Sequence, residues 1–182
     1  MPAYTRRSTR IAFCGVLSAL SVVFMIVSGL IPLATYISPM IAGVLLLPVF
    51  LEFGAKSAWT MWLATALVTL IIGSDKEAAF FYVFLGYYPL VKPRLDRISA
   101  PILRAGAKIL FFLLAGSAMY GFLIYILKLD AVLAEFEEAT FILNAAFFML
   151  LTFCMMVYDK LLLRLLVIYA RVLRPKFKFL RR

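Results

Sequence analysis

Residues 44–53 read Val-Leu-Leu-Leu-Pro-Val-Phe-Leu-Glu-Phe, and residues 109–115 read Ile-Leu-Phe-Phe-Leu-Leu-Ala. Neither stretch alternates polar with apolar positions, as a membrane-spanning β-strand does. Apolarity on every side suits a helix in hydrocarbon, where one segment closes all of its own backbone hydrogen bonds. The pattern is general. Of 182 residues, 65% are hydrophobic and the mean hydropathy is +1.03, whereas an ordinary soluble domain is roughly 45–50% apolar. The expected fold is an all-α integral membrane protein.

Apolar runs at 11–31, 39–53, 57–72, 78–91, 109–127 and 140–158 predict a six-transmembrane-helix bundle. The first run follows Arg6, Arg7 and Arg10 and is too long for a signal-peptide core of about 7–15 residues, so it is read as a retained helix. Pro32 stops it, and a short loop bracketed by Pro32 and Pro39 follows. Pro48 kinks or tilts the second helix. Gly54 suits a helix C-terminus, with Glu52 paired to Lys56 four residues on. Trp59 and Trp62 are placed at interfacial depth, as are Tyr87 and Tyr88, where Gly86 and Pro89 bend or end the fourth helix. A basic connection then runs to Lys108. After Tyr158 the sequence alternates Leu, Val, Ile and Tyr with Arg and Lys, which predicts an amphipathic helix on the inner membrane surface that binds anionic lipids. The expected organisation is a transmembrane domain over 1–160 and a basic cytoplasmic tail over 161–182.

Charge orients the bundle. With both termini cytoplasmic, all of the 19 Lys and Arg fall inside except Lys76 and Lys128. Asp75, Glu77, Asp130, Glu135, Glu137 and Glu138 fall outside, leaving Glu52, Asp96 and Asp159 within. Basic residues resist translocation, so the asymmetry predicts a multi-pass protein of the cell membrane with N-in and C-in. The formal charge of +10 is then a record of topology, and nucleic acid is not expected as a partner.

The residues argue against an enzyme. His is absent, which removes zinc-hydrolase motifs and imidazole bases. Ser18, Ser21 and Ser28 lie on one apolar helix with no base near them in sequence, and the four Asp residues fall at expected helix ends or loops. No carboxylate-rich metal motif is present, so neither metal nor cofactor is expected. Cys14 and Cys154 sit singly in apolar runs and read as small packing residues. An ion relay would place ionisable groups at mid-membrane, whereas the charges here collect at predicted interfaces.

Two constellations remain. Ala12, Gly15, Ser18 and Ala19 form a small-residue face on the first helix, suited to close helix contact with a membrane partner or within the bundle. Ser74-Asp75-Lys76-Glu77 lies near Thr35, Tyr36 and the 135–138 loop in the predicted topology. Its carboxylates could grip a polar or cationic small molecule at the extracellular side, with Tyr36, Phe80, Phe81, Tyr82 and Tyr120 or Tyr125 as stacking surfaces. Alternatively, Asp75 and Glu77 stabilise a helix N-terminus.

In length, span number, orientation, first loop and small-residue first helix, the chain resembles the substrate-binding S component of energy-coupling factor transporters. The resemblance covers about residues 10–160. It implies capture of a vitamin-like micronutrient outside, and assembly with a membrane T component and ATPases through the first helix. Gly15 and Ala19 stand where that family has an alanine-x-x-x-alanine face. The family's pocket, carried over, implies Tyr36, Asp75, Lys76, Glu77, Phe81, Tyr125 and Asn144 as ligand contacts. The basic tail departs from the family's short ending. It leaves open a non-transport scaffold of a cell-envelope or cell-shape complex.

Overall fold

The computed structural model describes residues 3–28, 34–73, 75–126 and 141–175, and every regular element among them is helical. In chain order these are α1 (Ala3–Ser28), α2 (Ala34–Val44), α3 (Leu46–Ile72), α4 (Lys76–Leu85), α5 (Tyr88–Leu95), α6 (Pro101–Gly121) and α7 (Phe141–Ile168). Short π-helical segments, Phe122–Ile126 and Tyr169–Leu173, extend α6 and α7. Two compact units result. One comprises the residues up to Pro93 together with those from Leu161, and the other comprises Arg94–Lys160.

Among the described residues, four segments are long and apolar enough to cross a membrane: Ser8–Val27, Leu46–Ile72, Pro101–Ile124 and Ile142–Val172. Their large apolar side chains face outward, with Val16 67%, Ile71 78% and Ile102 87% exposed. Water penalises a continuous apolar surface of that kind, and hydrocarbon does not.

Prolines place the helix breaks. A proline has no N–H to offer the carbonyl four residues earlier. Pro48 therefore leaves the Val44 carbonyl without its helical donor, and α2 ends at Val44. Pro89 does the same to Leu85, where α4 ends. The predicted 39–53 helix is thus α2 plus the start of α3, joined by a turn at Leu45, and the predicted 78–91 helix is α4 plus α5, joined at Gly86 and Tyr87. The loop expected from Pro32 to Pro39 is helical from Ala34, with Pro39 accommodated inside α2. The stop expected at Pro32 lies outside the described residues.

Gly54 interrupts α3 at φ 82° and ψ 176°, a conformation open in practice to glycine alone. The break turns Lys56 away from its helical register with Glu52, so the predicted pair does not form. Glu52, 5% exposed, instead accepts from Arg174 Nε at 3.0 Å. The basic connection expected to reach Lys108 is also corrected. Pro101 opens α6 seven residues earlier, in the first-turn position where its missing N–H costs nothing. At the other end, α7 runs through Tyr158 and Lys160 without a break.

In the first unit, α1 packs along α2 and α3, and α2 packs on α4. Ala42, Ala66 and Ala78 meet Met25 and Tyr82 in one core cluster, where small side chains let the backbones approach. Leu46, Val49, Ala58, Met61 and Leu90 form another. Trp59 and Trp62 stack with Tyr87 at centroid distances of 5.3–5.6 Å, Trp62 Nε1 donates to the Tyr82 carbonyl at 3.3 Å, and Tyr88 is fully buried. These aromatics, placed at interfacial depth by the sequence, also pack on one another within the first unit.

Replacing Gly54 with Ala will lower stability by about 1–3 kcal/mol, although a Cβ there meets nothing within 4 Å. Denaturant unfolding in detergent measures it, and an unchanged midpoint would show that the kink is not held at Gly54.

Candidate functional site

The N-terminal ends of α2 and α4 meet in the first unit, and with them four of the predicted ligand residues. Asp75 is the N-cap of α4. Its Oδ1 accepts from the Ala78 N–H at 3.0 Å, and its Oδ2 accepts from the Thr35 hydroxyl at 2.8 Å. A carboxylate in this position satisfies a backbone donor that the helix cannot, and it faces the positive end of the helix dipole. The same carboxylate latches α2 to α4. Alongside it, the Tyr36 hydroxyl donates to Glu77 Oε1 at 2.8 Å, and the Tyr36 ring meets the buried Phe81 edge-on at 5.6 Å.

Lys76 makes its contact on another helix. Its ammonium donates to the Leu70 carbonyl at 2.9 Å, closing the end of α3. Among the described residues the lysine makes no ion pair with Asp75, and two carboxylates and two aromatic rings share one half-buried corner. Each carboxylate accepts up to about four hydrogen bonds, so acceptor capacity remains on Asp75 beyond its two internal donors. The corner suits a cationic or donor-rich group lying against an aromatic face.

Tyr125 and Asn144 belong to the second unit. Tyr125 falls in the Phe122–Ile126 segment, with its side chain outside the described residues, and Asn144 is half-buried on α7. Ser74 and the 135–138 loop also lie outside the described residues. On the proposed docking face, Ala12, Gly15 and Ala19 are exposed and open, and a Cβ at Gly15 would meet nothing within 4 Å. Ser18 turns inward, sharing a 2.8 Å hydrogen bond with Thr65 Oγ1 of α3. Among the described residues no group of three or more His, Cys, Asp or Glu could hold a metal ion.

The second unit contains a cluster that sequence reasoning missed. Lys108 of α6 bridges Asp96 at 2.6 Å and Asp159 of α7 at 2.8 Å, with Lys108 and Asp159 side chains only 6% and 9% exposed. The expectation that charges collect at helix ends fails here, because α6 begins at Pro101 and α7 continues past Asp159. A Lys within a long apolar helix was the available signal, since such a charge needs a partner. Farther along the same two helices, Tyr120 packs edge-on to Phe147 and Phe148, and Gly116 faces Leu151.

Comparison with known protein families, with characterised proteins and with solved structures finds no match.

Asp75→Ala will destabilise the protein by about 1–2 kcal/mol through loss of the cap, whereas Asp75→Asn, an equally good cap, will stay within a few tenths. Equal loss in both, read by thermal unfolding, would show that charge rather than capping holds α4. In the second unit, Lys108→Met will cost about 3–5 kcal/mol by removing the cation that faces the buried Asp159, and adding Asp159→Leu will restore most of it. Failure of the double variant to recover would show that the lysine stabilises by something other than this pair.

Proposed function

We propose that this chain is the substrate-binding membrane subunit of an uptake transporter for a vitamin-like micronutrient. What carries the reading is the meeting of Tyr36, Asp75, Glu77 and Phe81 in one acidic, aromatic corner, drawn from segments some 40 residues apart. In this reading the chain crosses the cell membrane six times with both termini cytoplasmic. The crossings are α1, α2 with the start of α3, the remainder of α3, α4 with α5, α6 and α7. Residues 34–53 and 76–95 each make about 30 Å of helix, a hydrocarbon thickness, when their two short elements are added. The acidic corner then faces outside, where it meets the solute.

The open face of Ala12, Gly15 and Ala19 supports a second component in the membrane. Small exposed residues at one-turn spacing let another helix approach closely. The partner in this reading is a transmembrane coupling protein that passes ATPase motion to the bundle.

The test is extraction and mass spectrometry of small molecules retained by protein purified from its own host. Wild-type protein will carry a cationic or donor-rich metabolite, and Asp75→Asn, which keeps the cap, will carry at least ten-fold less, about 1.4 kcal/mol. Ala19→Leu will retain the metabolite while losing co-purifying ATPases. Wild-type and Asp75→Asn protein that are equally empty, with partners still attached, would favour a membrane scaffold instead.

A further inference from the structure

A cavity of about 490 Å³ lies between α1 and the part of α3 that follows Gly54. Its lining changes in the same sense along both helices. On α1 it passes from Arg10 to Gly15 and Ser18, and on α3 from Lys56 to Met61 and Ala64. The Ser18–Thr65 hydrogen bond ties the helices together beside its apolar end. Two cations therefore stand at one end of a groove whose other end is small and apolar.

Neither cation has a carboxylate partner among the described residues. The acid nearest to Lys56 in sequence is Glu52, and Arg174 occupies it. Both cations are exposed, and each adjoins an apolar segment. Next to them, the Ser57 hydroxyl donates to the Phe53 carbonyl at 3.3 Å and the Thr60 hydroxyl to the Lys56 carbonyl at 2.9 Å. With those protons committed, both hydroxyls offer the cavity acceptors only.

We propose that this groove binds an anionic phospholipid whose headgroup carries free hydroxyls, of the phosphatidylglycerol type. The phosphate sits between Arg10 and Lys56 and supplies the negative charge they lack. The headgroup hydroxyls donate to Ser57 and Thr60. The upper part of one acyl chain runs over Gly15, Met61 and Ala64, where the absent side chain at position 15 leaves the space. The volume suits a headgroup with a short length of chain, and the remaining hydrocarbon stays in the bilayer. A zwitterionic choline headgroup fits poorly, because it adds a third cation and brings no hydroxyl donor. The site shares Gly15 with the docking face of the transporter reading but does not rest on that reading, and it is tested on the purified chain alone.

Native mass spectrometry of the full-length protein in detergent, titrated with phosphatidylglycerol or phosphatidylcholine, decides the matter. Wild-type protein will hold phosphatidylglycerol in preference. Arg10→Ala with Lys56→Ala will weaken that binding about 30-fold, about five-fold for each lost charge. Gly15→Leu, which meets no neighbour and fills the groove, will weaken both lipids. Removing two other exposed cations, with Arg94→Ala and Arg97→Ala, will leave binding unchanged. Equal retention of the two lipids, no retention of either, or equal loss from the two double variants would each overturn the proposal. Circular dichroism confirms that every variant remains helical.

Discussion

A backbone amide in hydrocarbon has to find its partner within the chain, and proline cannot supply one. That constraint organises the first unit. Pro48 and Pro89 each release a carbonyl four residues upstream, and α2 and α4 end at those carbonyls. Short helices joined by single turns take the place of two long rods. The α2 that results packs on α1 and α4, and this packing brings Thr35 and Tyr36 to Asp75 and Glu77. Gly54 adds a break of another kind, made by a backbone conformation rather than a missing donor, and it redirects Glu52 from Lys56 to Arg174.

The helical class was legible because continuous apolar runs leave no other way to satisfy the backbone. The kink at Pro48 and the role of Gly54 were legible too, since both rest on covalent geometry that no packing alters. Helix starts were harder. Pro101 reads in sequence as part of a basic linker, yet it is a favourable first-turn residue, and missing it moved Lys108 from a helix interior to a helix end. The mutual packing of Trp59, Trp62 and Tyr87 was hidden for a related reason. Aromatics near a break look interfacial in one dimension, and only the fold around Gly86 shows them closing on one another. At the candidate site, the meeting of Tyr36 with Asp75 and Glu77 was legible in topology, whereas the direction of Lys76 depended on a carbonyl at the end of α3 that sequence spacing does not reveal.

The molecule uses charge in three ways. Asp75 serves the backbone, as cap and latch. Lys108 and Asp159 are a buried pair, with the partly exposed Asp96 on the same ammonium, and the burial makes each charge of the pair costly without the other. Arg10 and Lys56 have no such counterpart in the described chain and stand exposed beside apolar helix. The first two uses fix the helices relative to their neighbours within each unit. The third leaves a cationic surface open to its surroundings.

The ion pair between Glu52 and Arg174 joins residues 122 positions apart. Ribosomes add about 5–20 residues per second, so roughly 6–24 seconds separate the emergence of the acid from that of its base. Throughout that interval the glutamate beside the Gly54 bend has no native counter-ion, and the first helices cannot reach their final electrostatic balance. The bridge is therefore a contact that can form only late in biogenesis, once the last helix has been made.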